Sequence, residues 1–120
     1  MISTDLIGRM GNQMFQYSLC RLIAEKNGFN FHIPPNGGLS CEGHRLSNFF
    51  PDINMGTIDG EIKNVYRENG GYDPDILNQT DFTKINGFFQ CGGYYDNHHN
   101  IIKKWFTINV DDKTIATIKK

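Results

Sequence analysis

The apolar residues change period twice within the first 35 positions. Ile2 to Ile7 is a short β-type run that ends at Gly8. Beyond it, Phe15, Leu19, Leu22 and Ile23 recur at helical spacing, with Met14 and Ser18 beside them. Arg21, Glu25 and Lys26 extend the polar side, and Gly28, after Asn27, is a C-terminal stop. The spacing predicts a helix from about Asn12 to Asn27. Phe29, Phe31 and Ile33 then alternate with Asn30 and His32, a period of two that predicts a strand. Pro34-Pro35-Asn36-Gly37-Gly38 breaks the chain. Strand, glycine-rich turn, helix, strand is a βαβ unit, the opening of an α/β sheet.

The middle is less periodic. Leu46, Phe49 and Phe50 read as a short helix or an apolar patch before Pro51, and Ile62 to Tyr66 as a strand. Gly70-Gly71 is a loop, and Asp73-Pro74-Asp75 a turn or helix start. Thr83 to Gln90 has strand character in Ile85, Phe88 and Phe89. Asn97 to Phe106 reads as a helix with Ile101, Ile102, Trp105 and Phe106 on one side. Thr107 to Val110 is extended, and Thr114 to Lys120 is a helix that has only begun.

A length of 120 residues fits one domain. Nine Phe and five Tyr argue for a packed core rather than a disordered chain. The net charge is −1 with scattered Lys and Arg, which excludes the basic footprint of a nucleic-acid binder. No apolar run approaches the length of a transmembrane helix, and MISTDLIG lacks the pattern of a signal peptide. Cys20, Cys41 and Cys91 have no motif spacing, so free thiols in a reducing, cytoplasmic setting are expected. Asn78-Gln79-Thr80 matters as a sequon only in a secretory lumen.

The chemistry concentrates in the first turn. A loop between a first strand and first helix aims free N–H groups at the open end of a sheet, and the helix dipole favours an anion there. Gly8 and Gly11 admit a ligand close to the backbone, and Asn12 and Gln13 both donate and accept hydrogen bonds. That combination suits a phosphorylated sugar. Tight packing, with Asn12 as a simple N-cap, explains the same residues equally well. Neither G-x-x-x-x-G-K-[ST] nor G-x-G-x-x-G is present.

Gly8-Arg9-Met10-Gly11-Asn12-Gln13-Met14-Phe15-Gln16-Tyr17 resembles the N-terminal G-x-x-G-N-Q-[LM]-F-Q-Y motif of the family 11 glycosyltransferases, the α-1,2-fucosyltransferases. Tyr72 to Leu77, followed by Ile85 to Tyr95, is similar to a second segment of that family, with Cys91 where Ser is usual and Tyr95 where Phe is usual. Lys103-Lys104-Trp105-Phe106 resembles the helix that comes after this segment in the family. The resemblance implies a Rossmann-like N-terminal half of a GT-B-type fold, and metal-independent, inverting transfer of fucose from GDP-fucose to a galactose-containing glycan. Protein O-fucosyltransferases carry a similar Gly-Arg-x-Gly-Asn-Gln loop. By position, Asn12 is expected at the donor, with Gly8 and Gly11 beside the diphosphate and Gln13 as a further donor-side residue, while Arg9 either stabilises the departing diphosphate or is a solvated turn residue. Phe15 and Tyr17 match the motif but sit at core spacing. Family enzymes also work at membrane surfaces.

The family's H-x-R-x-G-D string is absent. Residues 1–120 therefore read as one N-terminal domain without the second, donor-binding half, inactive alone. The alternative is a non-catalytic carbohydrate- or nucleotide-binding module. Cys41-Glu42-Gly43-His44 and His98-His99 do not give a four-ligand metal spacing, and the two adjacent histidines read as flanking the last helix. Gly87 to Tyr95 carries aromatic rings on which a sugar can stack. There Phe88 reads as core, while Gln90 and Tyr94 share packing with an acceptor-facing role. Asp73, Asp75 and Asp81 are candidate bases by residue type only, and none is assigned.

Overall fold

The structure, a computed structural model, describes residues 1–8, 10–34, 46–69 and 71–106. Arg9, the Cys41–His44 cluster, Gly70 and the two C-terminal stretches from Thr107 onward lie outside the described residues, as does most of the proline-glycine break. The elements run β1 (Ile2–Thr4), α1 (Met10–Asn27), β2 (Phe31–His32), α2 (Leu46–Phe49), β3 (Asn64–Arg67), β4 (Thr83–Asn86), a 3-10 turn (Gly92–Tyr94) and α3 (His99–Trp105). The four strands form one parallel sheet in the order β2-β1-β4-β3. The fold is therefore α/β, and β1–α1–β2 is the expected βαβ unit.

The register explains which residues make the core. Ile2 pairs with Phe31 on one side and Thr83 on the other, and Thr4 pairs with Ile85. Paired residues share a face, and this face is buried against Tyr17, Leu19, Cys20 and Ile23 of α1. Burying Leu19, Leu22 and Ile23 contributes roughly 1.5–3 kcal/mol each. The opposite face carries Ser3, His32, Lys84 and Val65, and is polar apart from the half-exposed valine. Lys84 Nζ meets Asp5 Oδ2 there at 2.5 Å.

Helix α1 ends as its sequence requires. Gly28 takes φ +72°, Phe29 N–H donates to Ala24 O at 2.9 Å, and Gly28 N–H to Glu25 O at 3.4 Å. This is the paired closure of a left-handed glycine cap. Asn27 Nδ2 adds bonds to Ile23 O and Leu77 O.

Several expectations need correction. The first strand stops at Thr4 rather than Ile7. Helix α1 starts at Met10, so Gly11 and Asn12 occupy its first turn and Asn12 is not its N-cap. The strand expected at Ile62–Tyr66 is Asn64–Arg67, because its backbone must pair with β4 rather than follow its own apolar residues. In α3, Ile102, Trp105 and Phe106 pack on the core, while Ile101 is exposed.

Arg21, expected on the polar side of α1, is drawn inward. Its guanidinium lies 4.4 Å from the Trp105 ring centre and 5.2 Å from that of Phe31. It also donates to the Tyr17 hydroxyl at 3.0 Å and pairs with Glu25. A delocalised cation between two ring faces ties α1, β2 and α3 together.

Candidate functional site

β1 and β4 are parallel neighbours, so the loops that leave them emerge side by side at the carboxyl edge of the sheet. From β1 the chain turns through α1 to β2 on one side, while β4 lies on the other. Open α/β sheets bind ligands at such a reversal. The two loops are Gly8 with the first turn of α1, and Gly87 to Gln90.

Two glutamines build this crevice from below. Gln16 is fully buried: its Oε1 accepts Ile7 N–H at 2.9 Å, and its Nε2 donates to Gly87 O at 3.2 Å. One amide thus joins the segment after β1 to the end of β4. Gln13 is also buried, donating to Gly8 O at 2.8 Å and accepting Leu46 N–H at 2.8 Å. The structure therefore places Gln13, expected on the donor side, beneath the loop, where its amide shapes the turn.

Above them, Gln90 Nε2 donates to Asn12 Oδ1. Gly8 adopts φ +80°, and a Cβ there would stand 2.6 Å from Asn12 Nδ2. Only glycine lets Asn12 fold back over the turn. Gly11 is exposed, with nothing within 4 Å of where its Cβ would be. Gly8, Gly11, Asn12 and Gln90 are thus brought together at one edge.

The second loop is strained and firmly held. Phe89 takes φ +54° although it is a bulky residue, an uncommon conformation that surrounding contacts must impose. Its carbonyl accepts the Tyr95 hydroxyl at 2.6 Å, and its N–H reaches Glu68 Oε2 at 3.1 Å. Phe88 N–H meets the other oxygen of Glu68 at 3.3 Å. Burial pushes the pKa of Tyr95 up, so the hydroxyl stays protonated and keeps donating.

Phe88 is not core: it is 43% exposed, whereas Phe89 is fully buried. Both rings lie beyond β4, which ends at Asn86, so it is the left-handed turn at Phe89 and not the alternation of the strand that sends Phe89 inward and leaves Phe88 outside.

Glu68, Gly71, Tyr72, Phe88, Gln90 and Cys91 line a cleft of about 340 Å3. Tyr94 is buried beneath it rather than exposed to it. Its ring stacks on Tyr72 at 5.2 Å, and its hydroxyl accepts Asp73 N–H and donates to Gly71 O. Glu68 carried no signal in the sequence, and Tyr72 appeared there only within the second family-like segment, because it is the β3–β4 pairing that brings both to this edge.

A second cleft, of about 440 Å3, runs along α1 between Phe15, Tyr95, Ile102 and Phe106, with Gly11 at one end. Cys20 is buried, and desolvation pushes its thiol pKa up. It and Cys91 are both free thiols.

Among the candidate bases, Asp81 lies at the amino end of β4, where it pairs with the Met1 ammonium. That is the wrong end of the sheet. Asp73 Oδ2 accepts the Tyr66 hydroxyl at 2.7 Å and Oδ1 accepts Asp75 N–H, bonds that hold its carboxyl below the usual carboxylate range. His98 and His99 flank the start of α3, with His99 Nε2 3.9 Å from Asp96. No group of three or more His, Cys, Asp or Glu that could hold a metal occurs among the described residues. No described helix is long and apolar enough to cross a membrane.

No protein-family model, curated protein or solved structure matches this chain.

Proposed function

We propose that this chain supplies the donor-side loop of an α-1,2-fucosyltransferase of the GT-B type, which transfers fucose from GDP-fucose to a galactoside hydroxyl. One observation carries the reading. The two segments that resemble the family are distant in sequence, yet they meet at one crevice through Asn12 and Gln90, 78 positions apart. Packing alone does not require a half-buried and an exposed amide side chain to join there.

The chemistry is a displacement at the sugar's anomeric carbon. The acceptor hydroxyl forms the new C–O bond, the bond to the diphosphate breaks, GDP leaves, and the acceptor's proton passes to a base or solvent. What the site must stabilise is charge on the leaving diphosphate. The first turn of α1, exposed at Gly11, presents the positive end of an 18-residue helix. Gly11 leaves room for the phosphates, and Arg9 is the motif's cation. Asn12 and Gln90 face the transferred sugar in this reading, and Gln13 and Tyr94 hold the loops that carry them. No metal is required.

Calorimetry with GDP-fucose, GDP and lactose tests this proposal. GDP-fucose and GDP are expected to bind weakly, with affinity at least tenfold lower in Asn12→Ala. A folded chain that binds neither nucleotide overturns the proposal. Binding with no transfer to lactose by the gene's full product would mark a carbohydrate- or nucleotide-binding module instead.

A further inference from the structure

The cleft beside Gln90 has a composition of its own, and from it we infer a subsite for one uncharged pyranose. It is the place of the acceptor sugar, an assignment that rests on the transferase reading above. The rings of Tyr72 and Phe88 are both exposed at its walls, at 58% and 43%. Two exposed rings flanking one cavity at the sheet's carboxyl edge offer a ligand an apolar contact surface. The negative face of an aromatic ring attracts the C–H groups on one side of a pyranose. Tyr72 is braced for that role, because Tyr94 stacks behind it and anchors its loop at Gly71 and Asp73.

The polar groups select the ligand class. Glu68 places a carboxylate in the cleft, and it repels a phosphate. Each of its oxygens already takes one backbone N–H, from Phe88 and Phe89. The flat two-acceptor edge that a guanine base needs is therefore occupied, while single hydroxyls can still reach the remaining lone pairs. Gln90 donates through Nε2 to Asn12, which leaves Oε1 for a second hydroxyl. A volume of about 340 Å3 is near the lower end of the roughly 300–1,000 Å3 of small-ligand sites, enough for one sugar ring. Gln90 touches both sites, so a sugar here stands next to whatever Asn12 holds.

The test is a heteronuclear NMR titration of the 120-residue chain with methyl β-galactoside and, separately, with GDP. Methyl β-galactoside is expected to shift the signals of Tyr72, Phe88 and Gln90, with millimolar affinity. Tyr72→Ala and Phe88→Ala should each weaken it at least fivefold while the remaining spectrum stays that of the folded chain. Both rings are exposed, so these variants keep the core. Glu68→Gln, which retains one acceptor for the backbone, should also weaken it. The subsite is overturned if the galactoside shifts nothing, if the ring variants bind as wild type, or if GDP rather than the galactoside shifts Tyr72 and Phe88. The donor reading fails separately. Galactoside binding without any GDP-fucose response at Asn12 would leave this subsite standing and remove the transferase.

Discussion

Gln90 hydrogen-bonds Asn12 although 78 positions separate them, and the bond closes the carboxyl edge of the sheet between β1 and β4. The relationship depends on the buried amide beneath it. Gln16 connects Ile7 to Gly87, so the two loops cannot separate without breaking a buried contact. Rigid support under a pair of amides at the surface edge of the sheet is what a preorganised binding edge requires.

Gln16→Ala should therefore be among the more damaging single changes. It removes both bonds and leaves a cavity at a fully buried position. The expected loss is about 2–3 kcal/mol. Gln16→Glu keeps the acceptor for Ile7 but loses the donor for Gly87 O. It should be destabilised at neutral pH and recover partly in acid, when the carboxyl can donate. Urea midpoints at two pH values check this.

The three motif-region glycines should separate by function. A Cβ at Gly87 would stand 2.5 Å from Glu68 Cβ, at a φ of +156°. Gly87→Ala should cost about 2 kcal/mol. Gly8→Ala should also destabilise, through its φ of +80° and the overlap with Asn12. Gly11→Ala meets open space in the first turn of a helix and should gain about 0.5 kcal/mol. If phosphates approach that turn, the same variant should bind GDP-fucose more weakly despite its higher stability. Thermal melts and calorimetry on one set of variants give both quantities.

Arg21→Ala should loosen α3 from α1, at a cost of about 1–2 kcal/mol. Arg21→Lys should not restore it, because an ammonium cannot present a flat face to both rings. Trp105 is the only tryptophan, so its fluorescence reports the change directly.

Asp73 sets part of the acid limb. Its folded pKa lies below the free value of about 3.9, first through the Tyr66 hydroxyl and then through Asp75 N–H. The stabilisation is present above that free value and is lost as the pH falls through the folded one. Asp73→Asn should therefore be less stable than wild type at pH 7, and the gap should close at strongly acidic pH. Denaturation profiles across pH show whether it does.

The opening βαβ unit was legible because its periods were clean. Leu19, Leu22 and Ile23 face the sheet, and Phe31 and Ile33 point into the core, as their spacing implied. The pairing of β4 with β1 was not legible, since parallel neighbours distant in sequence carry no local mark. The site was therefore half visible. Gly8, Gly11, Asn12 and Gln90 could be named, but not that Gln90 meets Asn12. Glu68, and the place of Tyr72 beside Gln90, were hidden for the same reason. Arg21 was not legible either, because a cation at a helix flank reads as solvated until the two rings around it are known. The inward turn of Phe89 and the exposure of Phe88 were not legible, since both lie beyond β4 and the left-handed turn at Phe89 is imposed by Glu68 and Tyr95.

The central claim is that GDP-fucose meets the edge closed by Asn12 and Gln90. Side-chain amide signals in a titration of the 120-residue chain test it most directly. GDP-fucose should shift the Asn12 and Gln90 amides together with the Gly8 and Gly11 backbone signals, and Asn12→Ala should reduce the affinity at least tenfold without unfolding the chain. Unchanged amides at saturating GDP-fucose, or an Asn12→Ala variant that binds as wild type, would contradict the claim.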